Sequence, residues 1–216
     1  MKPFSLSILF VGLLLAAAPA NLEGQLWQAG APGEDLGSIR LHLGVLQPLT
    51  DYSDGSSLET GPSFGLGATL WPLRHFGLMA DVMRSKNNAA VGSDFSALDG
   101  QDPTVWLYSL RAAIRYPILQ GNLGLSPYIA GGPTAKSYRW ELYTPQQGGL
   151  FGRPYGGGRD TSFGWNVGGG VEVRLGPSGN FGFIADVRSI RSEFDWFGLR
   201  TDQSDLLFTG GITLHR

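Results

Sequence analysis

Eight charged residues stand inside apolar segments, where charge is expected to do work: Arg40, Asp81, Arg111, Arg115, Glu172, Arg174, Asp186 and Arg188. Each has an apolar neighbour on at least one side. An unpaired charge in a confined interior is costly, so opposite charges placed this way should meet. The set reads as an ion-pair network rather than a solvated face. Asp81 and Arg111 fall about equally far along consecutive segments and are expected to pair across them. Five of the eight are basic and three acidic, so at least one arginine is expected to reach water at a rim.

Catalytic chemistry finds less support. A hydrolytic triad needs base, nucleophile and orienting acid together. Of the three histidines, His42, His75 and His215, none has a serine two positions away. The glycine runs at 156–158 and 168–170 are not followed by Lys-Ser/Thr or by a helical pattern, so they do not form a phosphate loop. No cysteine is present, which excludes disulfides, thiolate metal sites and a thiol nucleophile. No carboxylate cluster has calcium-loop spacing and no histidines cluster, so neither metal nor cofactor is expected. The expectation is that the protein is not an enzyme. A net charge of -2 gives no electrostatic reason to expect nucleic acid as a partner.

The elements that must position these charges are strands. From about residue 38 onward the period of the apolar pattern is two. Eight segments show it, near 38–49, 62–71, 76–84, 105–116, 125–134, 162–175, 181–190 and 205–216. In the clearest, Trp106, Tyr108, Leu110, Ala112 and Ile114 oppose Ser109, Arg111, Ala113 and Arg115. In the fifth, the facing of Tyr128 and Ile129 is left open by Gly131, Gly132 and Pro133. Connections alternate in length. Those near 72–75, 117–124 and 176–180 are short; those near 50–61, 85–104, 135–161 and 191–204 are long. Short turns at one rim and long loops at the other are the plan of an outer-membrane barrel.

A soluble sandwich also alternates, so composition decides. The 33 glycines in 216 residues are about twice the usual share, and they recur inside the alternating segments. Together with serine, alanine and isolated charges they make up the second face, which suits the narrow lumen of an eight-stranded barrel. The first face is bulky and apolar. Trp71, Phe76, Tyr116 and Phe181 near the short turns, and Trp106, Phe163 and Trp165 near the loops, read as two interfacial girdles. Lipid cannot satisfy strand edges, so a sheet that spans it must close. The fold expected is all-β: an eight-stranded antiparallel up-and-down transmembrane β-barrel.

The N-terminus has Lys2, a short apolar core and the triplet Ala18-Pro19-Ala20. This is the pattern of a secretory signal peptide with cleavage before Asn21. The chain divides into a signal peptide at 1–20, a short periplasmic segment at 21–37 and a barrel at 38–216. Tyr138, Arg139, Trp140 and Tyr143 in the third long connection, and Trp196 in the fourth, have two readings. Exposed Trp, Tyr and Arg make recognition surfaces. Strand extensions above the membrane, with aromatics at the lipid–water boundary, are the other reading, and this second reading is favoured.

Four segments carry a family resemblance: FGLGATLWPL at 64–73, LYSLRAAIRYPI at 107–118, SPYIAGG at 126–132 and LLFTGGITL at 206–214. With these the chain resembles the small outer-membrane β-barrels grouped with the OmpA transmembrane domain and the opacity-type porin family. The resemblance implies insertion by the barrel-assembly machinery, which recognises the last strand; an exported monomer in contact with outer-membrane lipids is expected. Phe208, Ile212 and Leu214 match that strand's apolar alternation, while Arg216 stands where a terminal aromatic is usual. The expected role is structural or surface-interacting, through long loops facing an extracellular ligand. A narrow channel, a lipid-modifying enzyme and a soluble barrel for an apolar ligand are the alternatives.

Overall fold

The computed structural model describes residues 37–51, 57–90, 103–119, 123–143, 154–176, 180–196 and 199–215. Its strands are β1 (Gly37–Pro48), β2 (Ser57–Leu58), β3 (Gly61–Leu70), β4 (Phe76–Lys86), β5 (Ala89–Ala90), β6 (Thr104–Arg115), β7 (Leu123–Tyr143), β8 (Pro154–Leu175), β9 (Phe181–Trp196) and β10 (Leu199–His215). All but β2 and β5 form one closed antiparallel barrel, in the order β1-β10-β9-β8-β7-β6-β4-β3. The seam pairs β1 with β10, from Ser38 opposite His215 to Pro48 opposite Asp205. The small strands β2 and β5 pair with each other.

Alternation in sequence becomes alternation in burial. On β1, Leu41 and Leu43 are 58% and 72% exposed, while Arg40 and His42 are 1% and 3% exposed. The same inversion runs around the barrel, with Phe64, Leu66, Leu78, Ile114, Phe163, Val167, Phe183 and Leu214 outward. Such a wall is stable only against an apolar surrounding. Tyr128 turns inward and Ile129 outward, which settles the fifth segment. Pro133 has no N–H to donate. The β6–β7 ladder lapses at Leu110 and Arg111 and resumes at Ser109 opposite Thr134, while Pro133 stays paired with Trp165 on the β8 side.

The first four barrel strands have 10 to 12 residues, about what a tilted crossing needs. The last four have 16 to 22 and run on past the belt at the long-connection end. This corrects the expectation of a loop over 135–161. The pairing of β7 with β8 continues from Ala135 opposite Phe163 to Tyr143 opposite Pro154, with an irregularity at Leu142/Tyr143. Beyond the belt the outer face no longer meets lipid, so the apolar period that marks a strand in sequence fades, although the inward Tyr138 and Gln203 stay buried.

Inward glycines let the seam close. A Cβ on Gly211 would come within 2.1 Å of the Leu41 carbonyl oxygen, and one on Gly44 within 2.0 Å of that of Phe208. Gly210, on the outer face, has nothing nearer than 3.9 Å. Gly211→Val is therefore expected to cost about 1–3 kcal/mol through overpacking, read as a lower urea midpoint in detergent micelles. Gly210→Ala should leave the midpoint unchanged, and equal losses for the two variants would contradict this account of the seam.

Candidate functional site

The barrel interior is where the charged residues meet. Arg40 on β1, Asp81 on β4, Arg111 on β6, and Asp186 and Arg188 on β9 all turn inward because they share the phase of the small residues on their strands. Asp81 is the hub. Its Oδ1 accepts from Arg40 Nη2 at 3.0 Å, and its Oδ2 accepts from Arg111 Nη2 at 3.0 Å and Arg188 Nη1 at 3.2 Å. His42 Nε2 lies 3.5 Å from Asp81 Oδ1, an ionic contact only when the imidazole is protonated. Asp186 Oδ2 accepts from Arg111 Nη1 at 3.2 Å and from the Tyr128 hydroxyl at 2.5 Å, and Asp186 Oδ1 accepts from Arg188 Nε. The cluster ties five strands together across the axis.

Three of the eight charges stand apart, toward the short-turn end. Glu172 Oε1 lies 2.8 Å from His215 Nε2. Arg115 Nε donates to the Arg74 carbonyl at 2.9 Å, and its guanidinium lies 4.2 Å from the Trp71 ring centroid. Arg174 is partly exposed at that rim. Trp71 is buried, which corrects its placement in the outer girdle. It continues the inward phase of Gly67 and Thr69, and its ring gains a cation–π contact with Arg115.

A second polar group fills the long-strand end. Lys136 Nζ donates to Asp205 Oδ2 at 2.6 Å and to Gln203 Oε1 at 3.2 Å, and lies 4.8 Å from the Tyr138 ring centroid. The Tyr138 hydroxyl also bonds Gln203 Oε1. Tyr138 is 0% exposed, so it is not part of an outer recognition surface. It carries the inward phase of Thr134 and Lys136 one step further, and its hydroxyl needs a partner inside. Arg139 is exposed beside it. The backbones of Trp140, Tyr143 and Trp196 belong to β7 and β9, and their side chains lie outside the described residues. Lys136, Gln203 and Asp205 are interior polar residues that sequence reading passed over, and Tyr128 is one whose facing it left open. Phase alone would have found them: Lys136 follows Thr134 by two, and Asp205 precedes Thr209 by four.

Apolar layers separate these groups. Leu46, Met83, Val105, Leu107, Ile190 and Leu207 pack inside the barrel toward the long strands, joined by Leu58 of β2 and by Tyr138. Trp71, Met79, Ala113, Tyr128, Ala130 and Ile184 pack toward the short turns. Asn87 secures the β2 side, with Nδ2 donating to the Leu46 and Glu59 carbonyls at 3.3 and 2.8 Å.

One hydroxyl, imidazole and carboxylate do come together, but not as a triad. Thr213 Oγ1 is 2.8 Å from His215 Nε2, the same nitrogen that faces Glu172. A relay needs the acid on one ring nitrogen and the nucleophile on the other. His75 Nδ1 lies 3.0 Å from the Arg115 carbonyl in a turn. Among the described residues no three His, Asp or Glu are grouped to hold a metal.

Known structures share this architecture. Neisserial surface protein A superposes with a TM-score of 0.59 at 16% identity, over 83% of this chain and 97% of that one. The outer membrane protein OprG from Pseudomonas aeruginosa superposes at 0.55 and 14% identity, over 85% of this chain and 98% of that one. This chain has the fold of a small outer-membrane barrel. No protein-family model and no curated protein matches its sequence. The likeness lies in architecture alone, where barrel closure constrains the backbone and leaves most side chains free.

The hub has a measurable weight. Asp81→Asn leaves three buried guanidinium groups short of an acceptor and is expected to destabilise the barrel by about 3–5 kcal/mol. Glu172→Gln, which disturbs one contact near a rim, should cost less than half as much. Urea unfolding in detergent micelles checks this, and an Asp81→Asn midpoint equal to wild type would remove the hub from the account.

Proposed function

We propose that this chain is an integral outer-membrane barrel with a closed interior, whose long strands project from the membrane as a surface for interaction. The single observation that carries this reading is the filled lumen. Two apolar layers enclose a charge layer whose arginines are at most 1% exposed. A solute path along the axis would have to open that packing.

The outer belt of bulky residues supports placement in lipid, and outer-membrane lipids are its proposed partners. Export through the signal segment at 1–20, insertion by the barrel-assembly machinery and a monomeric state belong to the same reading. The same reading gives the chain no enzymatic role; the Thr213 and Glu172 contacts fall on one nitrogen of His215, which is not the arrangement of a hydrolytic relay. The extensions of β7–β8 and β9–β10 supply the surface that an extracellular ligand would meet, with Arg139 exposed on it.

Two outcomes follow. Purified protein in planar bilayers should give no conductance steps, and regular steps at modest voltage would favour the channel reading. Leu41→Arg, on the outer wall, should cost about 2–4 kcal/mol in lipid vesicles, as charge does near the midplane of a barrel. A neutral Leu41→Arg would argue that this wall faces water.

A further inference from the structure

The charge layer is unbalanced. Arg40, Arg111 and Arg188 bring three guanidinium groups and Asp81 and Asp186 two carboxylates, leaving one formal positive charge before any on His42 is counted. All five are nearly or fully buried. The other described lumen carboxylates are engaged elsewhere: Glu172 faces His215, and Asp205 holds Lys136. Apolar packing lies on both sides of the layer. An uncompensated charge sealed in this way costs several kcal/mol even after relaxation.

The arginines also hold donors that the aspartates do not use. Arg40 Nε and Nη1, Arg188 Nη2 and Arg111 Nε are buried without a protein partner among the described residues. Both carboxylates are already crowded. Asp81 accepts from three arginines, and Asp186 from two arginines and Tyr128. The barrel wall between Arg40 on β1 and Arg188 on β9 is β10. There the register sets Gly211 opposite His42, and Thr209 opposite both Gly44 and Asp186. Along that stretch of wall the inward side chains are small at Thr213, Gly211 and Thr209, and bulky only at Leu207, opposite Arg188.

We propose that the charge layer is a binding site for one small monovalent anion of halide size, held chiefly by Arg40 and Arg188 on the β10 side. One negative charge neutralises the layer, and a halide accepts several N–H donors at once without fixed geometry. Because apolar layers seal it in, the ion enters as the barrel forms and stays as part of the fold. It counts as a third acceptor beside Asp81 and Asp186.

The test uses the full chain, refolded into detergent micelles with sodium bromide as the only halide. Crystals measured at the bromine absorption edge should show one anomalous peak within about 3.5 Å of Arg40 and Arg188 nitrogens, a charge-assisted contact lengthened for the larger ion. Water at that position with no anomalous signal would overturn the proposal. In solution, refolding at constant ionic strength with bromide exchanged for isethionate gives an independent reading. One bound ion lowers the unfolding constant up to tenfold per tenfold rise in bromide. Arg40→Met leaves two guanidinium groups against two carboxylates and should abolish that dependence. Wild-type stability indifferent to bromide would equally refute the site. The diffraction arm needs only the wild-type chain, so it decides the question whether or not Arg40→Met folds.

Discussion

Three arginines from three different strands converge on one carboxylate, that of Asp81, and the interior is organised around this contact. A transmembrane barrel turns much of its apolar surface to the lipid, which leaves less of it for packing inside. What holds the opposite walls at a fixed distance has to come from the inside. Here charge-assisted hydrogen bonds do so, reaching from β1, β6 and β9 to β4, with Asp186 and Tyr128 extending the cluster to β7. Such bonds are short and directional, and in a low-dielectric interior they are costly to break singly.

The layers on either side give this arrangement its character. Leu46, Met83, Leu107, Ile190 and Leu207 keep water from the charges at one end, and Trp71, Met79 and Ile184 do so at the other. Dry flanks strengthen the ion pairs and close the axis at the same time. The barrel body is thus a rigid support. In the function proposed above, the strand extensions beyond the belt carry the interaction and the barrel body supports them.

That division also explains what sequence could reveal. Within the belt, lipid and lumen impose opposite demands on alternate residues, so Leu41 and Arg40, or Leu110 and Arg111, declare their facing directly. Strand number, antiparallel order and most inward charges were legible for that reason. Interior apolar residues were not: Leu46, Ile184, Ile190 and Leu207 are bulky like the lipid-facing set, and only their phase betrays them. Trp71 misled in the same way, since an aromatic near a turn fits a girdle as readily as a lumen stack over Arg115. Tyr138 misled because the strand outlasts the apolar pattern. Contacts that cross the lumen, such as Arg188 with Asp81, depend on closure and cannot be read from neighbouring segments.

The assignment of faces is tested most directly by tryptophan quenching from the bilayer interior. Trp165 lies on the outer wall and Trp71 inside. Single-tryptophan variants retaining one or the other, reconstituted in vesicles of lipids brominated along their acyl chains, should differ sharply. Strong quenching of Trp165 with Trp71 untouched is the expected result. Quenching of Trp71, with Trp165 spared, would mean that the ion-bearing face looks toward lipid and would contradict the architecture.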